Sequence, residues 1–306
     1  MFSLNRRLAQ HRAERSQAHV RAAIRTLDVP SPSCDPLERQ PVVAPLTFNS
    51  WRKWLSASCW RETSSDGTGS DLQIPEHEAL LVCDELQNCS HDIRNVDGIV
   101  KSRSDLTKFS TLEAFARDDK RIRRYLARSP HTPTRELIEC VTFKNSPKAI
   151  DRLMKSVRYN TKVRFSECAW EHRVYFAAGG ASHRFAAARL MASQLGLPVV
   201  LHGPCLRYQV SPVAVKDFRA RLRVVRTEDD VGFCESFRKV MEELKLPWYF
   251  KMAPDHVRPD RFDEHDYLQR DLLFALPNDP MGNVIADLLL EGGADDFGAT
   301  LAALVH

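Results

Sequence analysis

The sequence predicts an α+β or α/β fold: a small mixed-sheet core, in which a glycine-rich turn leads into a helix, embedded in mostly helical N- and C-terminal regions. Three observations carry this. Short β-prone runs, "ELIECVTF", "KVRFSEC", "HRVYFAA", "PVVLHG" and "LRYQV", cluster between residues 135 and 210. They alternate with stretches of helical period. Outside that interval the long apolar periodicities are helical.

Taken in order, residues 1–29 read as one basic helix, with Arg6, Arg7, Arg12, Arg15, Arg21 and Arg25 set against Leu4, Leu8, Ala22 and Ile24. Pro30 and the prolines after it end it, because proline lacks the N–H that a helix needs. Residues 30–134 form a helical and loop-rich region. Within it, "SASCWRETSSDGTGSDLQIPEHE" is rich in Ser, Gly and Asp and reads as a loop. Residues 76–128 carry mixed helical signals and end in a second basic run with Arg121, Arg123, Arg124 and Arg128.

The core is placed at 135–210. "ELIECVTF" is its first strand, and Ser146 with Pro147 opens a helix whose face carries Ile150, Leu153, Met154 and Val157. A hairpin around "AWE" follows, then the glycine turn and an alanine-rich helix that closes at Gly196 with Pro198 beyond it. Residues 211–306 are expected to be mostly helical. One helix there carries Val231, Cys234, Phe237, Val240, Met241 and Leu244 on one face, and "NVIADLLLEGGADDFGATLAALVH" reads as helix, double-glycine break and final helix.

Composition narrows the function classes. The chain has 306 residues, 43% hydrophobic and 27% charged, with a net charge of +4. That is a globular composition, and its mild basicity permits an anionic partner without demanding one. No apolar run reaches the length of a membrane span, and the N-terminus has no apolar signal region. A cytoplasmic protein of bacterial or phage type, with no membrane partner, is the expectation. None of the eight cysteines forms a C-x-x-C pair or precedes suitably spaced histidines. Spacing therefore predicts reduced thiols and no metal site.

The stretch that departs from ordinary packing is "GGASHR", residues 179–184, at the mouth of a helix. A helix N-terminus leaves backbone N–H groups unpaired and carries partial positive charge. Gly179 and Gly180 let the backbone approach an anion, with Ala181 between them and the helix. Ser182 can cap the helix or donate to a phosphate oxygen. Arg184 can grip two oxygens through its planar fork, and His183 can donate to a third or relay a proton. The plainer alternative is a tight turn in which Ser182 is the N-cap and His183 and Arg184 are solvated. Glu139, between apolar neighbours on the first strand, is the candidate base beside His183.

The order of elements together with "YFAAGGASHRFAAA" resembles the ParB/sulfiredoxin superfamily, over about residues 135–210. Sulfiredoxins carry Gly-Gly-Cys-His-Arg at this turn; ParB proteins carry Gly-Glu-Arg-Arg before an alanine-rich helix. The resemblance implies a small α/β core whose helix N-terminus faces a nucleotide phosphate, with ATP or CTP and Mg2+ as cofactors. This sequence inserts Ala181, has Ser182 where sulfiredoxins have their nucleophilic cysteine, and lacks the ParB acidic residue. Two functions follow as expectations. One is a nucleotide- or phosphate-binding protein, acting as an NTPase or phosphotransferase. The other is a non-catalytic DNA- or RNA-binding regulator that uses Arg6, Arg7, Arg12, Arg121, Arg123 and Arg124.

Overall fold

The structure is a computed structural model that describes residues 14–32, 46–57, 79–100, 112–117, 147–160, 163–177, 181–254, 256–257, 268–269 and 271–305. Two sheets dominate it. The first has five strands in the order β1-β5-β3-β4-β2: β1 (Leu81–Asp92), β2 (Gly98–Val100), β3 (Arg164–Cys168), β4 (Arg173–Ala177) and β5 (Val200–Val210). It is mixed. β1 runs antiparallel to β5, β5 parallel to β3, β3 antiparallel to β4, and β4 parallel to β2. The second has four antiparallel strands in the order β11-β6-β10-β7: β6 (Leu222–Glu228), β7 (Tyr249–Met252), β10 (Asp271–Pro277) and β11 (Asp295–Asp296). β8 (His256–Val257) and β9 (Leu268–Gln269) form a separate two-stranded ladder.

Three cores follow from the two faces of each sheet. One face of the first sheet is covered by α3 (Leu112–Arg117), α4 (Pro147–Asn160) and α5 (Ser182–Leu195), with Phe115, Met154, Phe165, Phe176 and Phe185 among the buried contacts. The middle core joins the other face to the second sheet. It is filled by α2 (Leu46–Leu55), α6 (Pro212–Arg221) and α9 (Phe297–Ala303) through Trp51, Trp54, Phe218 and Phe297. Trp51 stacks on Phe297 with ring centroids 5.8 Å apart. The third core lies on the far face of the second sheet, under α1 (residues 14–24), α7 (Val231–Leu244) and α8 (Pro280–Glu291). Alternation along β10 makes the division: Leu273 and Ala275 enter the middle core, Leu272, Phe274 and Leu276 the third.

Several expected elements stand. The hairpin is β3, a 3-10 turn at Ala169–Glu171 and β4, with His172 in the left-handed conformation at the turn's end. Pro147 opens α4, and Gly196 closes α5 at φ 65°. Gly293 at φ 116° lies in the expected break between α8 and α9.

Others need correction. The interval 76–128, read as helical, contains the 12-residue strand β1. It is an edge strand whose residues from Val82 to Glu85 are exposed, so it shows no apolar alternation. The first sheet therefore draws β1 and β2 from outside 135–210. The C-terminal region, read as mostly helical, is built on the second sheet. β10 is buried on both faces, and a short continuous apolar run cannot be told from a buried helix by period alone. On α1 the buried residues are Val20 and Ile24, while Ala22 is exposed. Val231, expected on the buried face of α7, is 72% exposed in its first turn. The strand expected at 136–143 lies outside the described residues.

Candidate phosphate site at the start of α5

β4 delivers the chain to α5 across the first sheet. α5 is buried on most of its circumference. Phe185, Ala186, Ala187, Ala188, Met191 and Ala192 are fully covered, which explains the alanine-rich sequence: small side chains let α3 and α4 approach. Phe185 stacks face to face on Phe176 of β4, with centroids 4.0 Å apart. Burial of such a ring contributes roughly 1.5–3 kcal/mol and anchors the first turn against the sheet.

That first turn is not capped by a side chain. Ala181 occupies the N-cap, at φ −107° and ψ 25°, and its carbonyl accepts from the Phe185 N–H at 2.9 Å. Ser182 is therefore the first helical residue. It is 1% exposed, and its Oγ has no hydrogen-bond partner among the described residues. The expectation that Ser182 is the N-cap is thus corrected. By contrast, α6, α7, α8 and α9 start with side-chain caps from Ser211, Asp230, Asp279 and Asp296. α5 also has no acidic residue in its first turn, so its own sequence does not neutralise the dipole there.

The two ring-and-charge residues diverge. His183 stacks on Phe115 of α3, with centroids 4.1 Å apart and an interplanar angle of 27°, which fixes the imidazole by packing. Arg184 is exposed. Farther along, Arg189 donates from Nε to the Val96 carbonyl at 2.7 Å; burial pulls its guanidinium below the ordinary range, and Asp97 partly offsets this. Gly179, Gly180, Glu139, Arg6, Arg7, Arg12, Arg121, Arg123 and Arg124 lie outside the described residues. Of the expected site, Ala181, Ser182, His183 and Arg184 lie within the described residues, as consecutive positions at the start of α5.

A second cluster on the same face of the sheet escaped the sequence reading. Cys89 and His91 of β1 meet Cys205 of β5, with their ligand atoms all within 4.8 Å of one another. Burial pushes the Cys205 thiol up to about 12, and the neighbouring Cys89 and Glu167 add to the shift. The His91 imidazole is held below its usual value by burial, with Glu167 opposing. Spacing along the chain could not find this group, because it depends on the β1–β5 pairing.

An open pocket of about 410 Å3 lies elsewhere, between the end of α1 and the start of α7. Asp28 and Asp230 line it, and Asp230 caps α7, so its charge disfavours an anion. No described helix is long and apolar enough to cross a membrane.

No curated protein and no solved structure matches the chain. The start of α5 and the cysteine–histidine cluster both lie within residues 86–306, the span that matches the model of the Family of unknown function (DUF6685), and the chain belongs to that family.

Proposed function

We propose that the protein binds a phosphate-bearing ligand, a nucleotide, at the first turn of α5. The observation that carries this is Ser182: a hydroxyl 1% exposed and unpartnered, in the first turn of a helix with no side-chain cap. A buried hydroxyl without a partner costs about 1–3 kcal/mol. An oxyanion accepting from it at the start of the helix removes that cost. Arg184, exposed two residues on, supplies the charge and the planar fork.

The resemblance to the ParB/sulfiredoxin superfamily favours a nucleotide over a bare anion, and ATP or CTP with Mg2+ are the cofactors it suggests. Strand β4, helix α5 and strand β5 follow one another in the order that resemblance requires. In this reading His183 is a positioning residue, because its ring is packed on Phe115. Turnover as an NTPase or phosphotransferase would need a base such as Glu139. The test is a thermal-shift series with ATP, ADP, CTP and GTP, with and without Mg2+. A nucleotide that binds the native state raises the melting temperature with concentration. No shift with any of the four at millimolar concentration would overturn the proposal.

A further inference from the structure

We propose that Cys89, His91 and Cys205 form a zinc site on the α5-side face of the first sheet. Three features of the fold build it. The first is a β-bulge. β1 pairs Leu86 with Cys205 and then Cys89 with Gly203, so two residues of β1, Gln87 and Asn88, stand opposite one of β5. Asn88 takes φ 58°, the left-handed region that non-glycine residues seldom adopt. The extra residue reverses the alternation. Without it Leu86 would share a face with Asn88 and Ser90; with it, Leu86 shares a face with Cys89 and His91. Leu86 and Cys89 accordingly pack against the same core as Cys205.

The second feature is a close backbone approach. Gly203, paired with Cys89, has no side chain, which lets the Val163 backbone pack against β5 beside the cluster: a Cβ there would lie 2.6 Å from the Val163 carbonyl oxygen. The third is an unsatisfied ligand atom. His91 lies against Phe165, with centroids 4.4 Å apart, and its buried Nε2 has no hydrogen-bond partner among the described residues. A buried ring nitrogen in that state is stabilised by a proton donor or a cation.

Two thiolates and one imidazole select a borderline-soft cation, and zinc takes this set in tetrahedral geometry. Zn–S bonds of about 2.3 Å place two sulfurs about 3.8 Å apart. The spread of the ligand atoms, at most 4.8 Å, closes to that by side-chain rotation. Each thiol loses its proton to solvent as its sulfur bonds to zinc, so one Zn2+ displaces two protons and the site keeps one positive charge less than the free ion carries per thiolate formed. Three protein ligands leave a fourth position for water. Glu167 lies on the same face of β3, held by Arg207 Nε at 2.9 Å.

The experiment uses the full reduced chain, freed of metal by chelation and titrated with Co2+ and then Zn2+. We expect the thiolate-to-cobalt charge-transfer band and the intense visible bands of tetrahedral cobalt. They should saturate at one equivalent and be displaced by Zn2+. Cys89→Ser, His91→Gln and Cys205→Ser should each weaken Zn2+ binding by more than about a hundredfold, beyond the change that outer-shell losses alone produce. Cys83→Ser, an exposed thiol on the same strand, should leave it unchanged. Melting curves without metal separate a lost ligand from a lost fold: Zn2+ should raise the melting temperature of wild type and Cys83→Ser, and not of Cys205→Ser. Absence of the cobalt bands in the reduced wild type, equal zinc affinity in wild type and Cys205→Ser, or a Cys89–Cys205 disulfide that accounts for the pair in place of metal would each overturn the proposal.

Discussion

Replacing Ser182 with alanine sets fold stability against ligand binding. Ser182 Oγ is buried and unpartnered, and Ala181 holds the cap position, so no folding hydrogen bond is lost with the hydroxyl. What is lost is the desolvation cost of an unsatisfied polar group, about 1–3 kcal/mol. A small void where the oxygen stood takes back part of that gain. The ligand-free variant should therefore match wild type or exceed it by up to about 2 kcal/mol. In a body of this size that is a rise of up to roughly 4–8 °C in melting temperature, at about 2–4 °C per kcal/mol. Nucleotide affinity should move the other way, falling by about 0.5–1.5 kcal/mol for one neutral hydrogen bond, or roughly two- to twelvefold. Urea denaturation without ligand reads the first effect and calorimetric titration the second. A stability loss of about 1 kcal/mol or more would show that the hydroxyl serves the fold as a cap would, and the reasoning would fail.

The remaining predictions concern the frame around the site. Arg226 and Asp271 pair at 3.3 Å with side-chain exposures of 1% and 0%, so Asp271→Ala should cost roughly 3–5 kcal/mol by leaving a buried guanidinium without that partner. Asp295, whose carboxylate on Arg226 is 52% exposed, should cost about 1 kcal/mol or less as Asp295→Ala; denaturant midpoints with equal outcomes for the two would contradict the burial argument. Burial raises the Cys168 thiol far above its ordinary range, with Glu171 adding to it, and pushes Cys234 up to about 11. At pH 8 a maleimide should therefore label the exposed Cys83 well before either, as peptide mass spectrometry can follow. Early modification of Cys168 in the native protein would refute its burial.

What was legible in the sequence was what local chemistry controls. Gly196 with Pro198 and Pro147 at a first helical position each act within one turn, so the start of α4 and the end of α5 were readable. The hairpin around "AWE" was readable for the same reason. What was not legible depends on partners distant in sequence. β1 is an edge strand with polar residues outward, so only its pairing with β5 reveals it as a strand. β10 is apolar from Leu272 to Pro277 because helices cover one side of its sheet and the middle core the other. At the candidate site, sequence located the helix start within one residue, yet that one residue decides whether Ser182 is a cap or an orphan. His183 gave no sign of Phe115, which reaches it from α3. The cysteine–histidine cluster needed both the β1–β5 register and the one-residue bulge at Gln87–Asn88.

The measurement closest to the central claim is calorimetric titration of wild type, Arg184→Ala and Arg184→Lys with the nucleotide that gives the largest thermal shift. Arg184 is exposed, so its removal should leave the fold intact and report on binding alone. Loss of a charge-assisted, two-point contact should weaken binding by about 1.5–3 kcal/mol, roughly 12- to 160-fold. The lysine variant should recover part of this, because it restores the charge without the planar fork. Equal nucleotide affinity in wild type and Arg184→Ala would contradict a phosphate site at the start of α5.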